Sequence, residues 1–362
     1  MGLIMHNDSI MTNTITKLMY ETLQTSKSLI GLAHKEVSTR LMTLLAPEGK
    51  PATKAIPPGM LKDLQSSIEL LLQADWDDVE RGIYPASLLF DTPWLNWISI
   101  YPLLCLDMPV TWNRRKRHDV RDLPSCHNNF DYPNYYMQNF HHQTDGYLSD
   151  HSANIYDLQV EILFNGTADV MRRRILSPLI SGLKKFDSKS PWQIQILDIA
   201  TGTGRTLHQI SMALPHAQLI GIDLSAPYLR QANYLFTTKQ KELFQLIQGN
   251  AERLPFGDNT IEGVTCVFLL HELPAEVRQN VLNECFRIIK SGGVLVLADS
   301  VQLSDSSEFT VAMENFRSVF HEPYYYSYIN DNIDKRLEDA GFNKIKAKSY
   351  FMTRVWSATK PG

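Results

Sequence analysis

The stretch LDIATGTGRTLHQI, Leu197–Ile210, decides how this chain is read. An apolar run carrying one acid, Asp198, ends in the turn Ala200-Thr201-Gly202-Thr203-Gly204, and a helical pattern follows. Glycine lets the backbone turn tightly and approach a ligand with no Cβ in the way. The helix behind such a turn aims its N-terminus at that ligand. A dinucleotide fingerprint reads GxGxxG, but Leu207 stands where its third glycine belongs. The turn alone announces a nucleotide-like ligand without saying which one.

The acids and the next two loops narrow the choice. A carboxylate at Asp198 would repel a pyrophosphate and would suit a cationic ligand. S-adenosylmethionine is such a ligand, with a sulfonium, an ammonium and no phosphate. Asp223, in LIGIDLS, ends the next strand, where a carboxylate can accept both ribose hydroxyls. Dinucleotides use the same contact, so Asp223 does not discriminate. LIQGNAERLPF, Leu246–Phe256, places Asn250-Ala251 after the third strand. A side-chain amide there can bond the adenine amino group, with the following backbone N–H in reach of the ring.

These segments resemble the class I S-adenosylmethionine-dependent methyltransferases, in the style of the ubiquinone/menaquinone C-methyltransferase-like group. The resemblance spans residues 150–360 approximately, and rests on LDIATGTG, IGIDLS, GNAERLPF, LNECFRIIKSGGVLVLAD and ANIYDLQVEILFNGTADVMRRRIL. It implies that Tyr156, Asp198, Ala200, Thr201, Gly202, Gly204, Asp223, Leu224, Asn250, Ala251 and Phe268 hold the cofactor. Two positions depart from the family pattern. Ala200 replaces the first glycine of the motif, and Asn250 stands where aspartate is commoner.

Periodicity divides the chain in two. From Gln193 onward, apolar runs at 194–199, 218–223, 244–248, 263–270 and 293–299 alternate with helical segments, including 275–289 and 329–340. Runs at 344–350 and 352–359 follow with almost no connection, which predicts an antiparallel hairpin. The expected fold is α/β, a doubly wound, seven-stranded, mostly parallel Rossmann-like sheet closed by that hairpin. A nicotinamide-dependent oxidoreductase does not ordinarily end this way. Residues 1–150 are expected to form a mainly helical accessory or substrate-cap domain, and 151–362 the methyltransferase domain. Residues 10–46 show helical spacing compatible with two helices, and another helix follows Pro58.

Composition limits the class further. The 362 residues are 44% hydrophobic and 20% charged with a net charge of −4, so a sizeable core is available and nucleic acid is a poor partner. Cys105, Cys126, Cys266 and Cys285 form no CxxC pair, which suits a reducing, cytoplasmic setting. No basic stretch leads into a long apolar run at the start, so no secretory signal is expected. The apolar stretch Ser87–Trp112 is interrupted by Asp91, Asn96 and Asp107 and by Pro93, Pro102 and Pro109, which predicts short buried helices or turns in place of a membrane span. The basic run Asn113–Arg121 reads as a solvated face, and a peripheral membrane contact or a homodimer contact is compatible with the sequence.

The acceptor would sit beyond the carboxyl ends of the strands. VFLLHELP places His271 and Glu272 there, and LADSVQ places Gln302. His271 is the first candidate for a proton-removing base, because imidazole titrates near neutrality; pocket-shaping is its alternative role. NFHHQTDGYLSD contributes His141, His142 and Tyr147, and FHEPYYYSY contributes His321, Tyr324 and Tyr325. Both segments read as a substrate lid or as an ordinary interface, and the tyrosines suit an aromatic, quinone-like or partly apolar small molecule. His141, His142, His271, Glu272, His321 and Glu322 are residue types that bind zinc or iron, but their spacing matches no compact ligand motif, so no metal is expected. A non-catalytic protein that binds S-adenosylmethionine is the alternative function.

Overall fold

Continuous apolar runs bounded by turn residues can be satisfied only when both faces of a sheet are covered, and that is how the second half of the chain folds. The structure, a computed structural model, describes residues 2–124, 130–239 and 244–362. Its strands are β1 (Gln195–Ile199), β2 (Gln218–Asp223), β3 (Gln245–Gln248), β4 (Ile261–Val267), β5 (Ile289–Ser300), β6 (Asn343–Tyr350) and β7 (Thr353–Thr359). They form one sheet in the order β3-β2-β1-β4-β5-β7-β6. The first five run parallel, and β7 inserts antiparallel between β5 and β6. The order reverses between β1 and β4, so the loops after β1, β2, β3 and β4 open at one edge around that switch point.

The helices are α1 (Gly2–Leu45), α2 (Pro58–Glu80), α3 (Trp94–Arg117), α4 (Asp150–Leu163), α5 (Ala168–Arg173), α6 (Leu176–Leu183), α7 (Arg205–Ala213), α8 (Ala226–Lys239), α9 (Ala275–Ile288), α10 (Thr310–Val319), α11 (Tyr325–Ile329) and α12 (Ile333–Asp339). Several boundaries differ from the sequence expectation. The fourth strand stops at Val267, because Phe268 turns the chain at φ +57°. The fifth begins at Ile289, and the last helix is short, starting at Ile333 after a separate turn of helix at Tyr325.

Two expectations about the N-terminal half are corrected. Residues 10–45 belong to one helix, not two. Gly31 does not interrupt it and instead permits close packing, since a Cβ there would lie 3.3 Å from the Asn165 backbone. Ser87–Trp112 is broken only at Asp91–Pro93, between a short 3-10 helix at Ala86–Phe90 and α3, which runs on through Pro102 and Pro109. Each proline removes one helical donor, but Trp97, Ile100 and Leu104 on α3 pack against Leu158 and Ile162 of α4 and hold the helix on both sides of Pro102. Among the described residues, no helix is long and apolar enough to cross a membrane. Cys105, Cys266 and Cys285 are free thiols, and Cys126 lies outside the described residues.

The N-terminal helices share the core of the sheet. Tyr20, Trp76, Tyr84, Leu88 and Leu89 join one cluster with Ile196 of β1 and Val296 of β5, and Met60 joins the cluster on the opposite face. A buried polar knot fastens the same junction. Asp75 of α2 accepts from Arg173 Nε at 2.9 Å, Arg173 Nη2 at 2.6 Å, Tyr20 Oη at 2.7 Å and Tyr84 Oη at 2.6 Å, and also pairs with Arg174. Burial works against the Asp75 charge, but Arg173 and Arg174 outweigh it and hold the carboxyl at about 2.

Candidate active site

The turn after β1 is built from three left-handed residues, and its two glycines serve different ends. Ala200 lies at φ +53°, Gly202 at φ +54° and Gly204 at φ +82°. At Gly202 a Cβ would meet only Tyr228, at 3.9 Å, so this glycine leaves open space on the pocket side. At Gly204 a Cβ would press on Ala232 at 3.0 Å and Phe236 at 3.1 Å, so this glycine lets α7 close onto α8. Gly204 is not among the lining residues of the pocket, which its neighbours Thr203 and Arg205 reach.

Asp198 lies beneath the same turn. It is 1% exposed, and its two oxygens accept from Thr265 Oγ1 and Thr201 Oγ1, both at 2.7 Å. It braces the turn from below and is absent from the pocket lining. Burial pushes its carboxyl up to about 7, and the two hydroxyls oppose that rise.

Asp223, at the end of β2, faces the pocket. Its Oδ2 accepts from the Gly202 N–H at 2.8 Å and its Oδ1 from the Ser225 N–H at 2.8 Å. Each carboxylate oxygen has a second acceptor direction, so both can also meet a vicinal diol. Burial lifts this carboxyl to about 6 against the pull of those N–H donors. The open face at Gly202 and the two-oxygen acceptor at Asp223 together fit a nucleoside carried close to backbone. Asn250 and Ala251 line the adjoining wall with Leu224. Asn250 Oδ1 already accepts from the Glu252 N–H at 2.9 Å, so its amide orders the loop as well as facing the pocket.

The pocket is partly open to solvent. Tyr156, Ala200, Thr201 and Phe268 line it as expected, as do Tyr147 and Glu272 on the acceptor side. Tyr147 donates to Glu272 Oε1 at 2.5 Å. Sequence reasoning missed Tyr135, Tyr136, Phe140, Arg172 and Tyr228 in the lining. Tyr135 and Tyr136 come from an aromatic stretch just before NFHHQTDGYLSD and Phe140 from its second position, and that density of rings was a readable sign. Arg172 opens the run Arg172-Arg173-Arg174, three cations in an otherwise apolar segment, each of which has a buried carboxylate partner. Tyr228 carried no sequence signal, because only the packing of α8 under the turn brings it there.

The remaining acceptor-side candidates do not line the pocket. Gln302 donates to the carbonyls of Tyr328 at 2.6 Å and Asp331 at 2.8 Å, which ties the loop after β5 to α11. Tyr325 bonds Ser300 Oγ at 3.0 Å, and the Tyr324 carbonyl receives Arg278. His142 faces His321 with ring centres 5.8 Å apart, and burial together with Arg115 and His321 pulls its imidazole down to about 3. His321 in turn bonds Gln138 Oε1 at 2.8 Å.

His271 lies behind the pocket wall, outside its lining. Its Nδ1 lies 2.6 Å from Asp299 Oδ1, and its ring packs edge-on to Tyr325 and Tyr328 outside the lining. Burial opposes its charge, but Asp299 outweighs burial and holds the imidazole up at about 9. The Asp299 contact anchors His271 beside the Glu272 loop. His141 stands nearer the pocket wall. Its Nε2 is 3.5 Å from Glu272 Oε1 and its Nδ1 3.0 Å from Glu322 Oε1, with the ring held edge-on by Phe316 and Phe320.

Comparison with known proteins agrees with this architecture. Residues 196–293 match the family described as "Methyltransferase domain". The ubiquinone/menaquinone biosynthesis C-methyltransferase of Desulfotalea psychrophila is 32% identical over 42% of this chain, a match spanning 56% of the relative. A demethylmenaquinone methyltransferase of a Geobacillus species is 30% identical over 42% of this chain and 73% of its own length. That of Lactiplantibacillus plantarum is 33% identical over 41% of this chain and 70% of its own. The chain thus spans little more than half of the first of these relatives.

Proposed function

The chain belongs to the class I S-adenosylmethionine-dependent methyltransferases, with S-adenosylmethionine as their cofactor, and from that premise we propose that it transfers a methyl group to an aromatic, quinone-like small molecule. The observation that carries the reading is the continuity of one pocket, in which Asp223 and the open face of Gly202 adjoin a wall of Tyr135, Tyr136, Phe140, Tyr147 and Tyr156. Flat rings with polar tips suit a planar acceptor that carries oxygens. The naming of relatives as demethylmenaquinone methyltransferases supports the same acceptor class.

S-adenosylmethionine supplies an electrophilic methyl group at a sulfonium. The protein's own contribution is alignment and exclusion of water, which can account for much of the rate of such a displacement. Asp223, with the Gly202 and Asn250 loops, would hold the nucleoside. The tyrosine wall would stack the acceptor, and Glu272, set by the Tyr147 hydroxyl, would accept from an acceptor hydroxyl at the pocket wall. Residues 1–150 act as the cap, because Tyr135 through Tyr147 belong to that segment and the helices below them share the core of the sheet. The location is cytoplasmic in this reading, with no nucleic-acid partner.

The test is transfer of label from methyl-labelled S-adenosylmethionine to a panel of reduced naphthoquinones and benzoquinones. Labelled product with at least one hydroquinone, lost in Asp223→Ala, is expected. Tight S-adenosylhomocysteine binding without labelled product from any acceptor would sink the catalytic reading and leave a cofactor-binding protein.

A further inference from the structure

Three residues from distant parts of the chain meet behind the tyrosine wall. One ligand atom each from His141, Glu272 and Glu322 lie within 4.8 Å of one another. Two donors on opposite sides of a first-row divalent ion, each at roughly 2.0–2.2 Å, would stand about as far apart. An imidazole with two carboxylates is a donor set for borderline divalent ions such as zinc, manganese, iron or cobalt.

The second observation concerns Glu322. Its side chain is wholly buried, and neither oxygen has a hydrogen-bond donor among the described residues. The His141 Nδ1 lies 3.0 Å from Oε1 as an ion-pair contact, and Oε2 has nothing. A buried carboxylate without donors costs several kcal/mol unless a cation meets it. With neutral imidazole, the two carboxylates carry a charge of −2 that a single divalent ion balances. His141 as an imidazolium would leave the cluster at −1 with Oε2 still orphaned.

We propose that His141, Glu272 and Glu322 form a binding site for one divalent first-row transition-metal ion at the wall of the donor pocket. Glu272 is shared between the two, because it lines the pocket and accepts from Tyr147. A site with three protein ligands leaves coordination positions free for water or an oxygen ligand. The sequence spacing of these residues pointed away from a metal; the meeting of the η-turn at His141 with the loops after β4 and α10 reverses that expectation.

The test titrates the full-length protein, stripped with chelator and dialysed, with Co²⁺ by calorimetry while the visible d–d absorption is recorded. One equivalent of Co²⁺ with a new visible band is expected, and Zn²⁺ should displace it. Glu322→Gln, which keeps shape and removes charge, and His141→Ala should each weaken Co²⁺ binding at least tenfold. S-adenosylhomocysteine binding measured on the same samples should survive, which separates loss of the metal site from loss of the fold or of the cofactor site. Failure of the wild-type protein to take up stoichiometric Co²⁺, or uptake of equal affinity by both variants, overturns the site. Neither outcome bears on methyl transfer, which is read by the labelled-product assay.

Discussion

At the scale of single residues, the turn after β1 makes the sharpest statements. Ala200 sits at φ +53°, a region that costs an L residue with a Cβ roughly 1–2 kcal/mol. Ala200→Gly removes that strain and adds some unfolded-state freedom, so a net gain of about 0.5 kcal/mol in stability is expected. Chemical denaturation measures it, and a loss would mean that the Cβ packs usefully. Asp223 supplies the second statement. Its carboxyl lies near 6 because of burial, with Glu272 adding to the rise and the Ser225, Gly202 and Leu224 N–H groups opposing it. It is therefore ionised above that value and takes up a proton as pH falls through it. Affinity for S-adenosylhomocysteine should be flat above about pH 7 and fall by up to about tenfold per pH unit below about 6. Asp223→Asn should weaken binding roughly 10- to 100-fold at high pH, the worth of charge-assisted hydrogen bonds, and remove the pH dependence. Calorimetry at several pH values reads both; an unchanged slope in the variant would assign the proton elsewhere. The identity of Asp223 and Asn250 as pocket residues was legible because position after a strand end is a local property. The roles of Asp198 and Gly204 were not, since whether a side chain points up at a ligand or down into Thr265 or Phe236 depends on which elements pack beneath.

Among elements, the joint between α2 and the α5–α6 segment carries the most concentrated polar energy. Asp75, fully buried, receives two arginines and two tyrosines. Removing one partner of such a buried pair leaves uncompensated charge and typically costs about 3–5 kcal/mol. Asp75→Ala should therefore lower stability by that amount, with far-UV circular dichroism of the melt as the readout. A change below about 1 kcal/mol would show that the arginines find water instead. The folded carboxyl sits at about 2, below its unfolded value near 3.8. Its stabilisation is thus present above about pH 4 and is lost as pH falls from about 4 towards 2. The variant should lose that acid-dependent component. Helical periodicity showed α2 plainly, but the Arg173 and Arg174 partners of Asp75 and Asp78 lie about a hundred residues away and no local pattern could pair them. The prolines of α3 misled for the same reason, since the local penalty was correct and the packing on α4 outweighed it.

For the whole molecule, both halves of the chain contribute to the same clusters on the two faces of the sheet. Such sharing predicts one cooperative unfolding transition rather than two. Trp76, Trp97 and Trp112 report on the N-terminal helices and Trp356 on β7, all of them buried. Tryptophan fluorescence and far-UV circular dichroism should give coincident denaturant curves, and separated midpoints would show residues 1–150 to be an independent domain. The sequence by itself determined the sheet, its closing hairpin and the donor side of the pocket. Those features follow from local periodicity, turn chemistry and strand-end positions, and each is written within a few neighbouring residues. Only the tertiary structure decided that α1 and α3 are single helices, that His271 is bound to Asp299 and that His141, Glu272 and Glu322 converge. Each of these depends on which distant groups desolvate and neutralise one another, and that is settled by packing across the chain rather than by order along it.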